Sequence, residues 1–355
     1  MKIFYAPSGI EGSYFYRHYL PAKYMQGLHQ VHIKHRASYQ DFRDYDLIIL
    51  QSQWNLSQKG NIQALQAQGK KVVFEIDDNI WEIPHGNESR NYWTPDKLKD
   101  IKEMFTICDA IITTTKPLAD ILRQFNSEVY VIPNYIEEGT EASGTKALSS
   151  LSSVPSSAVP IRIGYAGSMS HAPDFTPEII SALKDIKVKY GKKVQLIFLG
   201  YMPDALRSAQ CDIEYHDYVQ PLQYMETLNN LYLDIGIIPC EINKFNHCKS
   251  NLKFLEYSMA GIATIASPVQ PYLSVERHSL RPMGGTEAQR HIDITQDNSY
   301  DSWFHSLSVL IDKEKLRADI AMYANAFVKN YLIKNKISEI DKVYNQIVRK
   351  KGMRV

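Results

Sequence analysis

The chain reads as an α/β protein of two doubly wound parallel-sheet domains followed by a helical C-terminal tail. Three observations carry this. Short apolar strands alternate with helical stretches through both halves. A serine-rich segment without periodicity separates the halves. The length of 355 residues suits two independent cores.

In the first half, Lys2 to Ala6 predicts a buried strand, Pro7 to Gly12 a turn with Gly9 and Gly12, and Ser13 to Leu28 a helix. Asp46 to Leu50 predicts the next strand and Ser57 to Gln68 a helix that ends at Gly69. Lys71 to Ile76 is a third strand, and it opens into a loop with Asp77, Asp78, Trp81 and Pro84. Ala110 to Thr114 and Val129 to Ile132 complete the strands, with a helix near Pro117 to Phe125 between them. Strands and helices at this spacing imply βαβ units and a parallel sheet.

The division follows as 1–138 for the first domain, 139–160 for a serine-rich linker or surface excursion, 161–300 for the second domain and 301–355 for C-terminal helices that cross back to the first. In the second half, Ile161 to Ala166, Gln195 to Leu199, Asp234 to Ile238, Ile262 to Ala266 and Ile292 to Ile294 read as strands. Trp303, Leu307, Leu310 and Ile311 share one helical face in the tail. Ligands of such sheets sit outside the carboxyl ends of the strands, and two such domains make the cleft between them the default site.

Composition narrows the function. The apolar fraction is 44% and the charged fraction 22%, as in ordinary globular proteins. A formal net charge of +1 argues against a dedicated nucleic-acid binder. The four cysteines Cys108, Cys211, Cys240 and Cys248 form no C-x-x-C pair, which argues against a zinc or redox motif. Cys108, at the end of an apolar helical pattern, reads as a buried thiol. With no signal peptide and no apolar run of membrane-spanning length, a cytoplasmic protein is expected, with peripheral contact at the inner membrane face as the variant. The helix from Ser13 interleaves Tyr14, Phe15, Tyr16, Tyr19, Tyr24 and Met25 with Arg17, His18 and Lys23. Packing on the sheet is the expectation there, ahead of contact with anionic lipid or nucleic acid.

The stretch from Asp234 to Pro271 carries the chemistry. A strand ends at Pro239, a polar loop follows, and a helix begins near Lys249, Ser250 and Asn251. A helix N-terminus offers unpaired N–H groups and a positive dipole end, which suits a diphosphate. Lys253 lies four residues after Lys249, so both ammonium groups share a face, and Glu256 lies three further on, where a carboxylate can accept both hydroxyls of a ribose. The plainer alternative is solvent-facing lysines with Glu256 paired to Lys253. Asp77 and Asp78 stand at a strand's carboxyl end, which suits acceptor binding or turn chemistry. Adjacent carboxylates point in different directions, so no metal is expected. His85 in the same loop is a weaker candidate, and Asn134 after Pro133 is expected to shape the junction between domains.

The segment from Asn246 through Lys249, Ser250, Asn251, Leu252, Lys253 and Glu256 to Tyr257, followed by Ala260-Gly261-Ile262, resembles the donor-binding segment of glycosyltransferase family 4, in the GT-B fold. Gly164-Tyr165-Ala166-Gly167-Ser168 with His171 and Asp174, Asp109 to Thr115, Val131 to Asn134 and Phe74 to Asp78 are similar to other parts of that family in the same order. The resemblance implies two Rossmann-like domains across a cleft and a nucleotide-diphosphate sugar, UDP- or GDP-linked, as donor, with no tightly bound cofactor and retention of configuration. It implies that Lys249, Ser250, Lys253 and the nearby backbone at Asn251 and Leu252 hold the diphosphate, and that Glu256 holds the ribose. Gly167 and Ser168 would lie at the donor phosphates, with Gly9, Gly12 and Ser13 facing them. His171 reads either as a donor to a phosphate or sugar hydroxyl or as a structural cap at Asp174. The acceptor, a glycan, a lipid-linked sugar or another molecule, has no readable code.

One position departs from the family. Many members carry two glutamates eight positions apart, the first touching the sugar, and Cys248 stands eight before Glu256. Three rival classes stay open: a sugar-nucleotide epimerase, a non-catalytic nucleotide-sugar binding protein, and a glycosyltransferase acting on modified DNA.

Overall fold

A computed structural model describes residues 1–10, 12–51, 59–138, 159–207, 213–279 and 290–350. The serine-rich segment 139–158, Cys211 and the last five residues lie outside the described residues.

The N-terminal half forms a six-stranded sheet from β1 (Lys2–Ala6), β2 (Gln30–Ile33), β3 (Leu47–Gln51), β4 (Lys71–Glu75), β5 (Ala110–Thr113) and β6 (Val129–Val131), in the order β2-β1-β3-β4-β5-β6. The second half forms another from β7 (Ile161–Gly167), β8 (Val194–Gly200), β9 (Ile213–His216), β10 (Ile235–Ile238), β11 (Ala263–Ala266) and β12 (Asp293–Ile294), in the order β12-β11-β10-β7-β8-β9. Among the described residues every strand pairing is parallel. Strand order therefore reverses between β1 and β3 and between β7 and β10, the places where open α/β sheets bind ligands.

Two strands were not expected from sequence. In β2 the residues alternate between exposed and half-buried, and β9 is half-buried throughout, as at sheet edges. Neither presents the apolar run that marks the central strands.

Alternation along the strands sorts the core onto two faces of each sheet. Ile3, Tyr5, Leu47, Ile49 and Val73 pack with Phe15, Tyr16, Leu20 and Met25, while Phe4, Ile48, Leu50, Val72 and Phe74 pack with Ile62, Leu65, Ile101, Met104 and Phe105. The expected helix after the first turn spans Gly12–Tyr14, continues as a π-helical turn over Phe15–Tyr19 and ends in Leu20–Met25, three residues short of Leu28. Its aromatic residues Phe15 and Tyr16 and its basic residues Arg17 and His18 are buried against the sheet, so they present no surface to lipid or nucleic acid. Burial, seconded by Arg17, pushes His18 down to about 3, so the ring is uncharged.

Three long helices, Tyr300–Asp312, Glu314–Val328 and Ile333–Arg349, end the chain. Trp303, Leu307, Leu310 and Ile311 face the second sheet as one stripe. The last helix returns to the first sheet, where Ile340, Tyr344 and Ile347 join the core and the Tyr5 hydroxyl donates to that of Tyr344 at 3.3 Å. The chain crosses between halves near Ile136 and again near Leu332. These crossings lie side by side, with Ile136 N–H donating to Tyr331 O at 3.0 Å and Ile333 N–H to Ile136 O at 2.9 Å. Among the described residues no helix is long and apolar enough to cross a membrane.

The reversal in the second sheet has a specific filler. β7 and β10 pair only at Ile163–Ile235 and Gly164–Gly236, then splay apart. Tyr257, fully buried, lies over Gly236, and its hydroxyl accepts from the Ala166 N–H at 2.9 Å where the ladder has ended. A Cβ on Gly236 would sit 2.6 Å from the Tyr257 ring. Gly236→Ala is therefore expected to destabilise the second domain by about 1–3 kcal/mol through overpacking. A thermal melt checks this, and an unchanged midpoint would contradict the packing described.

Candidate functional site

The carboxyl ends of both sheets face a cleft of about 940 Å³. Among the residues lining it are Gly12 and Ser13 after β1, Asp77 and Asp78 after β4, Gly167, Ser168 and His171 after β7, and Lys249, Ser250, Leu252, Lys253 and Glu256 after β10. Gly9, Asn251 and Cys248 are not among its lining residues.

The polar segment after β10 folds as a short helix, Lys244–Cys248, then breaks, and the helix Leu252–Met259 begins at Asn251. The break leaves Lys249 and Ser250 projecting into the cleft ahead of the helix N-terminus. Lys249 lies 3.6 Å from Asp78 Oδ1 and 4.6 Å from the Phe245 ring centroid. Burial works against its charge, but Asp78 and Asp174 outweigh burial and raise its pKa, so the ammonium is firmly charged. Lys253 donates to the Ala166 carbonyl and lies 3.9 Å from Glu256 Oε2. There burial wins and lowers its pKa despite Glu256.

Glu256 is 5% exposed. It accepts from the Tyr16 hydroxyl at 2.8 Å and from the Tyr224 hydroxyl at 3.1 Å, and burial raises its pKa against the pull of Lys253. His171 Nδ1 lies 2.9 Å from Asp174 Oδ2, while Asp174 Oδ1 accepts from the Glu241 N–H at 2.9 Å and from Asn246 Nδ2 at 2.7 Å. Burial lowers the pKa of His171 in spite of Asp174. His171 thus contacts Asp174, as the structural alternative expects, and also lines the cleft.

Cys248 faces the N-terminal core: its thiol is 3.7 Å from Asn79 Nδ2 and its carbonyl accepts from Thr115 Oγ1 at 2.6 Å. Burial raises its pKa. Asn251 starts the Leu252–Met259 helix, and Gly9, half-buried, lies in the loop after β1. His85 is exposed and outside the cleft lining. Among the described residues no group of three or more His, Cys, Asp or Glu side chains is placed to hold a metal ion.

Several cleft residues were not singled out for the site by sequence. Arg17 is buried and donates through Nε to Glu75 Oε1 at 2.6 Å, and through NH1 to Ile132 O at 2.7 Å and Asn134 Oδ1 at 3.1 Å. Asn134 Nδ2 then donates to Ser250 Oγ at 2.8 Å, so the junction role expected of Asn134 takes the form of a relay between halves. Tyr16, Tyr224, Glu88 and Ser89 also line the cleft. The available signal was a charged residue, Arg17, inside a helix that must pack on a sheet. A buried cation demands a partner, but its identity is not local in sequence.

Three carboxyl groups, Glu75, Asp77 and Asp78, end β4 against two cations, Arg17 and Lys249. Asp77 makes no hydrogen bond or ion pair among the described residues. Burial, then Asp78 and Glu75, push it up to about 8.

No family model matches the sequence, and neither does any curated protein. Solved structures do match in shape. HepE of Anabaena, in complex with UDP and glucose, superposes with a TM-score of 0.66 at 12% identity, covering 98% of this chain and 100% of that one. Sucrose-phosphate synthase of Thermosynechococcus elongatus gives 0.66 at 12% identity over 98% and 99%. The catalytic domain of starch synthase IV from Arabidopsis thaliana, bound to ADP and acarbose, gives 0.62 at 10% identity over 99% and 100%. The chain has the fold of these proteins, GT-B: two parallel-sheet domains with flanking helices.

Two predictions follow from the buried charges. Arg17→Met strands Glu75 and is expected to cost about 3–5 kcal/mol, with Arg17→Met/Glu75→Leu recovering most of it. Melting points of the single and double variants check this, and an unchanged single variant would contradict it. Folded Asp77 keeps its proton up to about pH 8, whereas the unfolded group releases it near ~4. The native state therefore loses stability as pH rises through that window. Asp77→Asn is expected to gain melting temperature over wild type progressively from pH 5 to 8.5, and parallel curves would contradict the raised pKa.

Proposed function

We propose that the chain is a glycosyltransferase that moves a sugar from a nucleoside-diphosphate sugar to an acceptor hydroxyl. The observation that carries this reading is the convergence, in a cleft lined by both halves, of Lys249, Ser250, Lys253 and Glu256 from one side with Gly12, Ser13, Asp77 and Asp78 from the other. The reading divides the chain into an acceptor domain, 1–138, and a donor domain, 161–300, with the C-terminal helices bracing both.

The start of the Leu252–Met259 helix supplies N–H groups and a positive dipole end for the diphosphate. Lys249 supplies the firm charge, Lys253 a second cation, and Ser250 a hydroxyl. Gly167 and Ser168 let the phosphates approach the end of β7, and Glu256 receives the ribose hydroxyls. UDP and GDP are the favoured carriers. The nucleobase would lie toward Tyr218, Val219 and Pro221, which line the same cleft.

In the transfer, the acceptor oxygen bonds to the anomeric carbon as the bond from that carbon to the diphosphate breaks. The bonding pair leaves with the diphosphate, and the acceptor's proton passes to the departing phosphate oxygen on the same face, which retains configuration. Negative charge grows on the diphosphate, so Lys249 and the helix N-terminus stabilise the transition state more than the ground state. His171, held by Asp174, is placed to donate to a sugar or phosphate oxygen. Asp77 and Asp78 face the acceptor side.

Lys249→Ala is expected to lower kcat/KM by about 10²–10³-fold while the circular dichroism spectrum stays that of wild type. Nucleotide release from UDP- and GDP-sugars, with a panel of glycan acceptors, provides the assay. Wild-type turnover in the variant would remove the site assignment.

A further inference from the structure

The oxygens of Glu256 are claimed by two tyrosines from different halves of the molecule. The Tyr16 hydroxyl donates to Oε1 at 2.8 Å and the Tyr224 hydroxyl to Oε2 at 3.1 Å, with Lys253 Nζ 3.9 Å from Oε2. Each carboxylate oxygen has two acceptor directions, but Glu256 is 5% exposed and Tyr16 6%. On Oε1 the tyrosine takes one of those directions, so a ribose hydroxyl that comes to Oε1 along it from the cleft meets Tyr16, which lines the same cleft.

Tyr16 cannot yield by sliding its helix. It sits in the π-helical turn Phe15–Tyr19, beside Arg17, which is bound to Glu75, Ile132 O and Asn134. The backbone is thus tied to the N-terminal sheet, while Glu256 belongs to the second domain. The contact is lost either by rotation of the Tyr16 side chain or by separation of the two halves.

We propose that Tyr16 sets the affinity for the donor by competing with its ribose for Glu256. The proposal rests on the reading of Glu256 as the ribose-holding residue. A nucleoside diphosphate enters only those molecules in which Tyr16 has released the carboxylate, so the apparent affinity is the intrinsic one reduced by that fraction. The tyrosine hydroxyl and a sugar hydroxyl each donate one hydrogen bond to a carboxylate, so one can take the place of the other.

Tyr16→Phe removes the competing hydroxyl and keeps the ring, which packs edge-on to Phe15 at 5.0 Å. Glu256 is then short of a donor until a nucleotide supplies one. Isothermal titration of UDP, GDP and ADP into the full chain is expected to show about 10-fold tighter binding to Tyr16→Phe than to wild type, and weaker binding to Glu256→Gln. Equal or weaker binding to Tyr16→Phe, alongside weakened Glu256→Gln, overturns the competition and leaves the role of Glu256 standing. Wild-type affinity in Glu256→Gln, or no binding of the three nucleotides to wild type, overturns the ribose reading and this proposal with it.

Discussion

The buried guanidinium of Arg17 is the constraint around which the cleft is arranged. A charge with that little exposure is tolerated only when its donors are met. Here they are met by Glu75 at the end of β4, by the carbonyls of Ile132 and Pro133 after β6, and by Asn134. Meeting them draws three chain segments to one point beneath the cleft. Asn134 passes the link to Ser250, so one charge compensation fixes the N-terminal strand ends and their position against the segment after β10.

The opposite wall is fixed by a different device. Ala166 lies buried where β7 and β10 part, and its backbone groups are met there by side chains. Tyr257 accepts from the N–H, and Lys253 donates to the carbonyl. The Leu252–Met259 helix is thereby seated across the reversal in strand order, with its N-terminus toward the cleft. Tyr257 anchors it and the neighbouring Glu256 lines the cleft, so structure and proposed function occupy successive residues. Burial decides which cation is firm. The pKa of Lys249 is raised because Asp78 and Asp174 outweigh desolvation, whereas desolvation lowers that of Lys253.

The fold was legible because the central strands are continuous apolar runs and the separating segment has none. The edge strands β2 and β9 were not, since half-exposed strands carry mixed residues whose pairing is decided by neighbours. Among site residues, those on the segment from Lys249 to Glu256 could be read because one helix start brings them together locally. Arg17, Tyr16 and Tyr224 could not, because their partners are 58, 240 and 32 residues away in the chain. Cys248 shows the limit of register. It stands where many members of the resembled family carry a glutamate that touches the sugar, and ahead of the helix break at Lys249 it turns toward Asn79 and the N-terminal core.

The central claim is that a diphosphate docks at the break before Leu252, between the two sheets. A crystal structure of the chain grown with UDP or GDP tests it most directly. The account predicts phosphate oxygens within hydrogen-bond distance of Lys249 and Ser250, and ribose hydroxyls on Glu256. A nucleotide bound outside the cleft, or with its phosphates turned away from that helix start, would contradict it.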